Sequence, residues 1–556
     1  MKQFYSLLVF AFFAITLTAQ TPDVLRGPYL QNPTSTSMVI KWRTDAASDS
    51  RVNYGTSQGS LTSAVDSATS TTEHTVKISG LDPFTQYYYS IGTSTQVLEG
   101  PGVNYRFKTS PAPGVVQPVR IWSIGDFGKA SQAQADVRDS YLDYLGSGHN
   151  DVWLWAGDNA YDDGTDQEFQ DKVFEDTFGY NRLFTYMPFM PCPGNHDYGS
   201  ISPPPGSIDP QLHTGAYFDI IDVPKNGEAG GVASGTELYY SYDYSNVHFV
   251  SLNSELGSTT PAYDYTGAFS GDIENLPMVQ WLRQDLAANT KEWTIVYWHQ
   301  CPYSKGSHDT DDFWEFYIIA MRDNFTPILE EYGVDLVVCG HSHVYERSKL
   351  IEGHTGLSST FSSANIVNGG NGNFDEGQAY YKYRMTTDPN KGTVYVVSGN
   401  AGSVDEGSPL DHPAMPFGEA CNGCFGSFVV DIDSNRLDGK HLRVDGTIGD
   451  HFTIIKQDLP LSVEESISPV MNVNVYPNPF SSSARIEYEL SENKNVTIEL
   501  ADITGKQIQT LFTGNQVSGK HFIDVDGQKL NLSKGEYVVL FSNGEHIYHK
   551  RVVKFE

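Results

Sequence analysis

The strongest constraint on the fold of this 556-residue chain is a set of five apolar runs, each leading into side chains that bind metal ions. The runs are Val119-Arg120-Ile121-Trp122-Ser123-Ile124, Asp151-Val152-Trp153-Leu154-Trp155, Pro188-Phe189-Met190-Pro191-Cys192-Pro193, Trp293-Thr294-Ile295-Val296-Tyr297 and Val334-Asp335-Leu336-Val337-Val338-Cys339. They lead into Gly125-Asp126-Phe127-Gly128, Gly157-Asp158-Asn159-Ala160-Tyr161, Gly194-Asn195-His196-Asp197, Trp298-His299 and Gly340-His341-Ser342-His343. Short, rich apolar runs read as buried strands. Between them Val137, Tyr141, Leu142 and Leu145 make one helical stripe, Val279, Leu282 and Leu286 another, and a third helical stretch is expected from roughly Asp312 to Tyr332. Alternation of strand and helix from about 115 to 455 predicts an α/β layered domain. In such sheets the carboxyl ends of strands converge on the site.

The converging side chains have the composition of a two-metal hydrolase centre. Two ions held together need a bridging carboxylate, and Asp158, in a Gly-Asp-x-x-Tyr turn, is the natural bridge. Asp126, Tyr161 and His343 can complete one site; Asn195, His299 and His341 can complete the other. His341 and His343 are expected to serve one ion each. Phenolate and carboxylate ligands favour hard Fe(III) at the first site, whereas the second suits Fe(II), Zn(II) or Mn(II).

Outside this core the chain is β-like. Residues 21–112 contain alternating strands at Ser37–Trp42 and Thr72–Ile78, and Leu81 to Tyr89 has the pattern of a tyrosine corner. Residues 471–556 alternate again. Lys2, the apolar stretch Leu7 to Leu17 and Thr18-Ala19-Gln20 read as an export signal over 1–20. No other stretch approaches the ~20 apolar residues of a membrane span. The net charge of −32, from 36 basic and 68 acidic residues, argues against a nucleic-acid partner. Of the five cysteines, Cys421 and Cys424 are spaced for a small loop disulfide or half a zinc site. Cys192, Cys301 and Cys339 read as small buried side chains.

The five motifs together resemble those of calcineurin-like metallophosphoesterases, and within them the purple acid phosphatase branch, over roughly 21–455. The run Gly340-His341-Ser342-His343-Val344-Tyr345-Glu346-Arg347 is similar to that branch's last motif, and Tyr161 stands where the branch has its iron-binding, colour-giving tyrosinate. The resemblance implies two β-sheets sandwiched between helices, flanked by an N-terminal fibronectin type III-like β-sandwich (21–112) and a C-terminal β-sandwich, with the catalytic domain at 113–458. Tyr476-Pro477-Asn478-Pro479, Gly535-Glu536-Tyr537 and Lys550-Arg551-Val552-Val553 resemble a type IX secretion sorting domain, which implies the type IX machinery as a partner and a secreted or cell-surface location.

By the same resemblance His196 contacts phosphoryl oxygens, His308 protonates the leaving group and Asp197 partners His196. The expected function is hydrolysis of small phosphomonoesters by a hydroxide activated at the two-metal centre. A phosphodiesterase or nucleotidase using the same centre is the nearest alternative, and a non-catalytic adhesion or carbohydrate-binding protein the alternative of another class. Asp197 stands where relatives often have Glu, His308-Asp309 where they have paired histidines, and Gln300-Cys301-Pro302-Tyr303 departs from their usual Pro-Trp-Tyr run. These departures leave substrate preference and pH optimum open.

Overall fold

A computed structural model describes residues 21–199, 214–255, 273–384, 390–419, 424–458, 473–490, 493–502, 507–542 and 547–555. The expected export signal lies outside the described residues. All five apolar runs are strands: Val119–Ile124, Val152–Ala156, Phe189–Cys192, Trp293–Trp298 and Leu336–Cys339. The first three lie side by side in parallel, with Ile121 opposite Val152 and Trp153 opposite Phe189, at one side of a seven-stranded sheet. The other two are parallel neighbours in a second seven-stranded sheet, with Ile295 opposite Leu336. Residues of both sheets belong to one apolar core. Strands covered on both faces read as unbroken apolar runs because neither face can be polar.

Aromatic rings pin neighbouring strands together within that core. Trp122 stacks on Trp153 at 4.6 Å between centroids, and Trp155 on Phe189 at 4.0 Å. Such pairs contribute about 0.5–1.5 kcal/mol each beyond the area they bury. They set side by side the three strand ends that carry Asp126, Asp158 and Asn195. The two helical stripes form Gln132–Leu145, capped by Ser131, and Pro277–Ala288, with proline in the first turn.

The third helical stretch begins later than expected. Phe316–Ala320, a wider-wound turn Met321–Phe325 and Thr326–Glu331 follow one another, whereas 309–315 is a series of turns. Asp309 Oδ1 accepts from the Asp311 amide at 2.8 Å and Asp312 Oδ1 from the Trp314 amide at 2.9 Å. Local aspartate bonds of this kind compete with a helix for the same amides.

The amino-terminal strands form a six-stranded sheet around Leu30, Ile40, Trp42, Ile78 and Tyr89. The Tyr87 hydroxyl accepts from the Asp82 amide at 2.9 Å, the bond a tyrosine corner makes. The carboxy-terminal strands form a three-stranded and a four-stranded sheet around Ile486, Ile498, Leu500, Val539 and Phe541. Cys192, Cys301 and Cys339 are free and buried, and Cys424 is disulfide-bonded. Among the described residues, no helix is long and apolar enough to cross a membrane.

Candidate metal centre

Three of the strand ends deliver their side chains through a sharply turned backbone. Asp126, Asp158 and His341 have φ of 59°, 51° and 70°, the left-handed region that residues with a Cβ rarely enter. Strain of this kind persists where surrounding structure over-determines it, most often at functional sites. Two glycines allow the close approach. A Cβ on Gly194 would lie 2.4 Å from Asp158 Oδ1, and one on Gly340 would lie 2.5 Å from Asp126 Oδ2.

The seven expected ligands come together in two groups that share Asp158. Tyr161 Oη lies 3.1 Å from Asp126 Oδ1, 3.0 Å from Asp158 Oδ2 and 3.5 Å from His343 Nε2. His299 Nε2 lies 3.2 Å from Asp158 Oδ1, 3.0 Å from Asn195 Oδ1 and 3.2 Å from His341 Nδ1. The two oxygens of one carboxylate therefore face different donor groups. Asp126, Asp158 and His299 are buried, whereas His196, His308 and His343 are a quarter to a third exposed and border the open side.

The electrostatics of this cluster call for positive charge. Burial disfavours charge on His299, yet the carboxylates of Asp158 and Asp126 outweigh it and raise its pKa to about 10. Burial, together with Asp126 and Asp158, pushes the Tyr161 phenol well above its ordinary value. Two buried carboxylates, a phenol, an amide oxygen and three imidazoles form a donor set suited to hard and borderline cations. A bound cation would take the place of those protons. The residues present thus fit a metal centre.

His196 and His308 stand beside the ligands. His196 Nδ1 faces the Asp162 carbonyl at 2.6 Å, which makes it the protonated nitrogen and leaves Nε2 3.9 Å from Asp158 Oδ2. The His308 ring stacks on His341 with centroids 3.7 Å apart. Asp197 does not partner His196. Its carboxyl accepts from the Gly194 amide at 2.8 Å, the Asn159 amide at 3.3 Å and Asn159 Nδ2 at 2.8 Å. Gly194 needs its amide satisfied inside the core, and the nearest acceptor three residues on is Asp197. Asp197 therefore ties the Asp158 turn to the Asn195 turn, and burial with the charge of Asp158 raises its pKa to about 8.

One carboxylate in the cluster has no place in the sequence reading. Glu315 Oε1 accepts from His308 Nδ1 at 2.7 Å, and Oε2 lies 3.9 Å from His341 Nε2. Burial alone would raise its pKa, but the bonds to His308 and His341 lower it to about 2. Nothing in Asp312-Phe313-Trp314-Glu315 marks it; the turns over 309–315 bring it in. Those turns are held in place by Lys305, whose Nζ lies 2.7 Å from Asp309 and 2.8 Å from Asp311, and by Ser304, whose carbonyl accepts from the Thr310 amide at 3.2 Å and the Thr310 hydroxyl at 3.1 Å.

Comparison with known proteins bears on this geometry. Residues 119–345 match the family described as calcineurin-like phosphoesterase, 28–109 the purple acid phosphatase N-terminal domain, and 474–554 the secretion system C-terminal sorting domain. Purple acid phosphatase 18 of Arabidopsis thaliana is 30% identical over 356 residues, covering 60% of this chain and 68% of its own length. An uncharacterized protein of Mycobacterium tuberculosis is 28% identical over 356 residues, covering 58% of this chain and 61% of its own. The solved purple acid phosphatase PPD1 from yellow lupin (Lupinus luteus) seeds superposes with a TM-score of 0.56 at 18% identity, over 79% of this chain and 78% of that one. PhoD superposes with a TM-score of 0.53 at 14% identity, over 81% and 94%. At those identities the two structures speak to the fold.

Proposed function

This chain belongs to the purple acid phosphatase family of calcineurin-like phosphoesterases, hydrolases of phosphoric esters, and from that premise we propose that it is an exported phosphatase acting on small phosphomonoesters at a dinuclear metal centre. The observation that carries this reading is the division of Asp158, whose Oδ2 faces Tyr161 while its Oδ1 faces His299. Asp126, Tyr161 and His343 would hold Fe(III); Asn195, His299 and His341 would hold Fe(II), Zn(II) or Mn(II); Asp158 would serve both. When bound, two such ions supply Lewis-acid charge that activates a water and offsets charge on the phosphoryl oxygens.

The remaining chemistry belongs to the histidines at the open side. His196, oriented by its bond to the Asp162 carbonyl, offers Nε2 to a phosphoryl oxygen. His308, with Nδ1–H donated to Glu315, is left with Nε2 to carry a proton to the departing alkoxide. Cys192, Cys301 and Cys339 are buried, so among the described residues no free thiol is exposed to form a phosphoenzyme. The sorting tail supports export through the type IX machinery, with release or surface attachment to follow.

Phosphate release from a simple monoester by the metal-loaded protein is expected, with loss of turnover in Asp158→Asn and little turnover of a matched diester. Diester-dominant turnover, also lost in the variant, would replace the monoesterase reading with a phosphodiesterase one. Absence of Asp158-dependent turnover of either would refute both. For the metal assignment, protein loaded with Fe(III) is expected to be coloured in the visible and Tyr161→Phe colourless. A colour that survives the substitution would remove Tyr161 from the iron site.

A further inference from the structure

Phe313, Trp314 and Phe316 lie within two residues of Glu315, whose carboxylate bonds His308 and lies near His341, and they are exposed. Their exposures are 70%, 74% and 42%, unusual for side chains of this size. The three rings touch one another edge to face, at 5.6 Å, 5.7 Å and 6.0 Å between centroids. Leaving this much aromatic surface in water is unfavourable, and a contiguous exposed patch beside a site marks binding.

We propose that Phe313, Trp314 and Phe316 form the platform for the alcohol portion of the substrate, so that the preferred esters carry a flat aromatic ring, aryl or nucleobase, on the leaving group. The inference rests on the phosphatase reading above and names its substrate class. Position supports it first. Glu315 is the residue between Trp314 and Phe316 and is bonded to His308 at 2.7 Å, and consecutive Cα atoms are about 3.8 Å apart. The backbone that carries the rings is thus anchored, through Glu315, to the histidine that would protonate the leaving oxygen.

Rigidity supports it second. The Asp312 carbonyl accepts from the Glu315 amide at 3.1 Å, Asp312 Oδ1 accepts from the Trp314 amide at 2.9 Å, and Asp311 accepts from the Ser358 amide at 2.7 Å. A preformed aromatic surface loses little entropy when a ring settles on it. Aromatic rings this exposed suit stacking with a planar group rather than a sugar or an alkyl chain.

The test compares wild type with F313A/W314A and W314F in the metal-loaded full chain. Phenyl phosphate, adenosine 5′-monophosphate and glycerol 3-phosphate are the substrates; phenylphosphonate and methylphosphonate are the binding probes, followed by calorimetry. Stacking on an aromatic side chain is worth about 1–3 kcal/mol, so the kcat/KM ratio of an aromatic ester to glycerol 3-phosphate should fall about tenfold in F313A/W314A. W314F should retain most of the ratio. A fall with phenyl phosphate alone assigns the platform to aryl esters; a fall with adenosine 5′-monophosphate alone assigns it to nucleotides. A ratio unchanged in F313A/W314A, or esters all losing activity equally, overturns the platform, as it would if a protein partner covered these rings. The two readings fail separately. Wild type inert toward every ester refutes the phosphatase reading, whereas a preference for phenylphosphonate over methylphosphonate that the double substitution removes still upholds the platform.

Discussion

At Glu315 one carboxylate serves two imidazoles, bonding His308 Nδ1 at 2.7 Å and lying 3.9 Å from His341 Nε2. It fixes which nitrogen of His308 carries the proton and which way the ring faces. Groups that orient others in this way typically change activity 10–100-fold when altered. Glu315→Gln, which replaces half of the acceptor with a donor, is expected to lower kcat for a phosphomonoester by at least about tenfold, with a smaller change in KM. Steady-state phosphate release measures both. An unaltered kcat would leave Glu315 without a positioning role. The same scale shows what motifs reveal and what they hide. Asp126, Asp158 and His341 are legible because glycines and apolar runs announce them, whereas Glu315 sits among aromatics in a turn whose path depends on Lys305 and Ser304. Asp197 was legible as a residue of the site but not in its bonds, since only the packed core shows that the Gly194 amide needs it.

Between elements, a buried histidine clasps helix to sheet. His248, on the strand Val247–Ser251, bonds Asp243 on the neighbouring strand and Asp285 on the helix Pro277–Ala288, both at 2.8 Å. Burial disfavours its charge, but the bonds to Asp243 and Asp285 outweigh that and raise its pKa to about 9. The unfolded value is about 6.5, so this clasp stabilises fully below pH 6.5 and is lost as pH rises through about 9. The difference is worth about 3 kcal/mol. Thermal unfolding between pH 6 and 10 is expected to show Tm falling over that window, and His248→Gln to be less stable at pH 6 with a flatter profile. An identical slope in the variant would assign the pH dependence to other groups. The helices themselves followed their apolar stripes, because Val137 and Tyr141, or Val279 and Leu282, have one core to face. The third began at Phe316 rather than near Asp312, since aspartates can satisfy local amides without a helix.

Across the molecule the two flanking regions are attached differently. Tyr29 belongs to the large core, and buried Arg26 bonds Asp166 at 2.9 Å, an aspartate that Arg43 also grips. The C-terminal strands have an apolar core of their own, around Ile486, Ile498 and Val539, and their small apolar cluster of Ala501, Val538 and Leu540 meets the rest of the chain at the partly buried Tyr383. Removing 473–556 is therefore expected to leave the Tm of the remaining chain and its phosphate release near their full-length values. Asp166→Ala is expected to lower stability by about 1–3 kcal/mol, because buried Arg26 loses one charged acceptor while Gln170 Oε1 and the backbone carbonyl of residue 166 still accept from it. Calorimetric unfolding of both variants checks the contrast; equal losses would contradict it.

What this sequence determined by itself is local: five strands, two helical stripes, and the ligand types placed at strand ends, each encoded within a dozen neighbouring residues by periodicity, glycine and side-chain chemistry. Only the tertiary structure decided how the two sheets meet, that Asp158 divides its oxygens between donor groups, that Asp197 binds backbone rather than His196, and that Glu315 enters the site between exposed rings. Those outcomes depend on contacts between residues far apart in the chain, such as Asp126 with Tyr161 and His343, and on satisfying buried amides and charges. No local pattern specifies those partners.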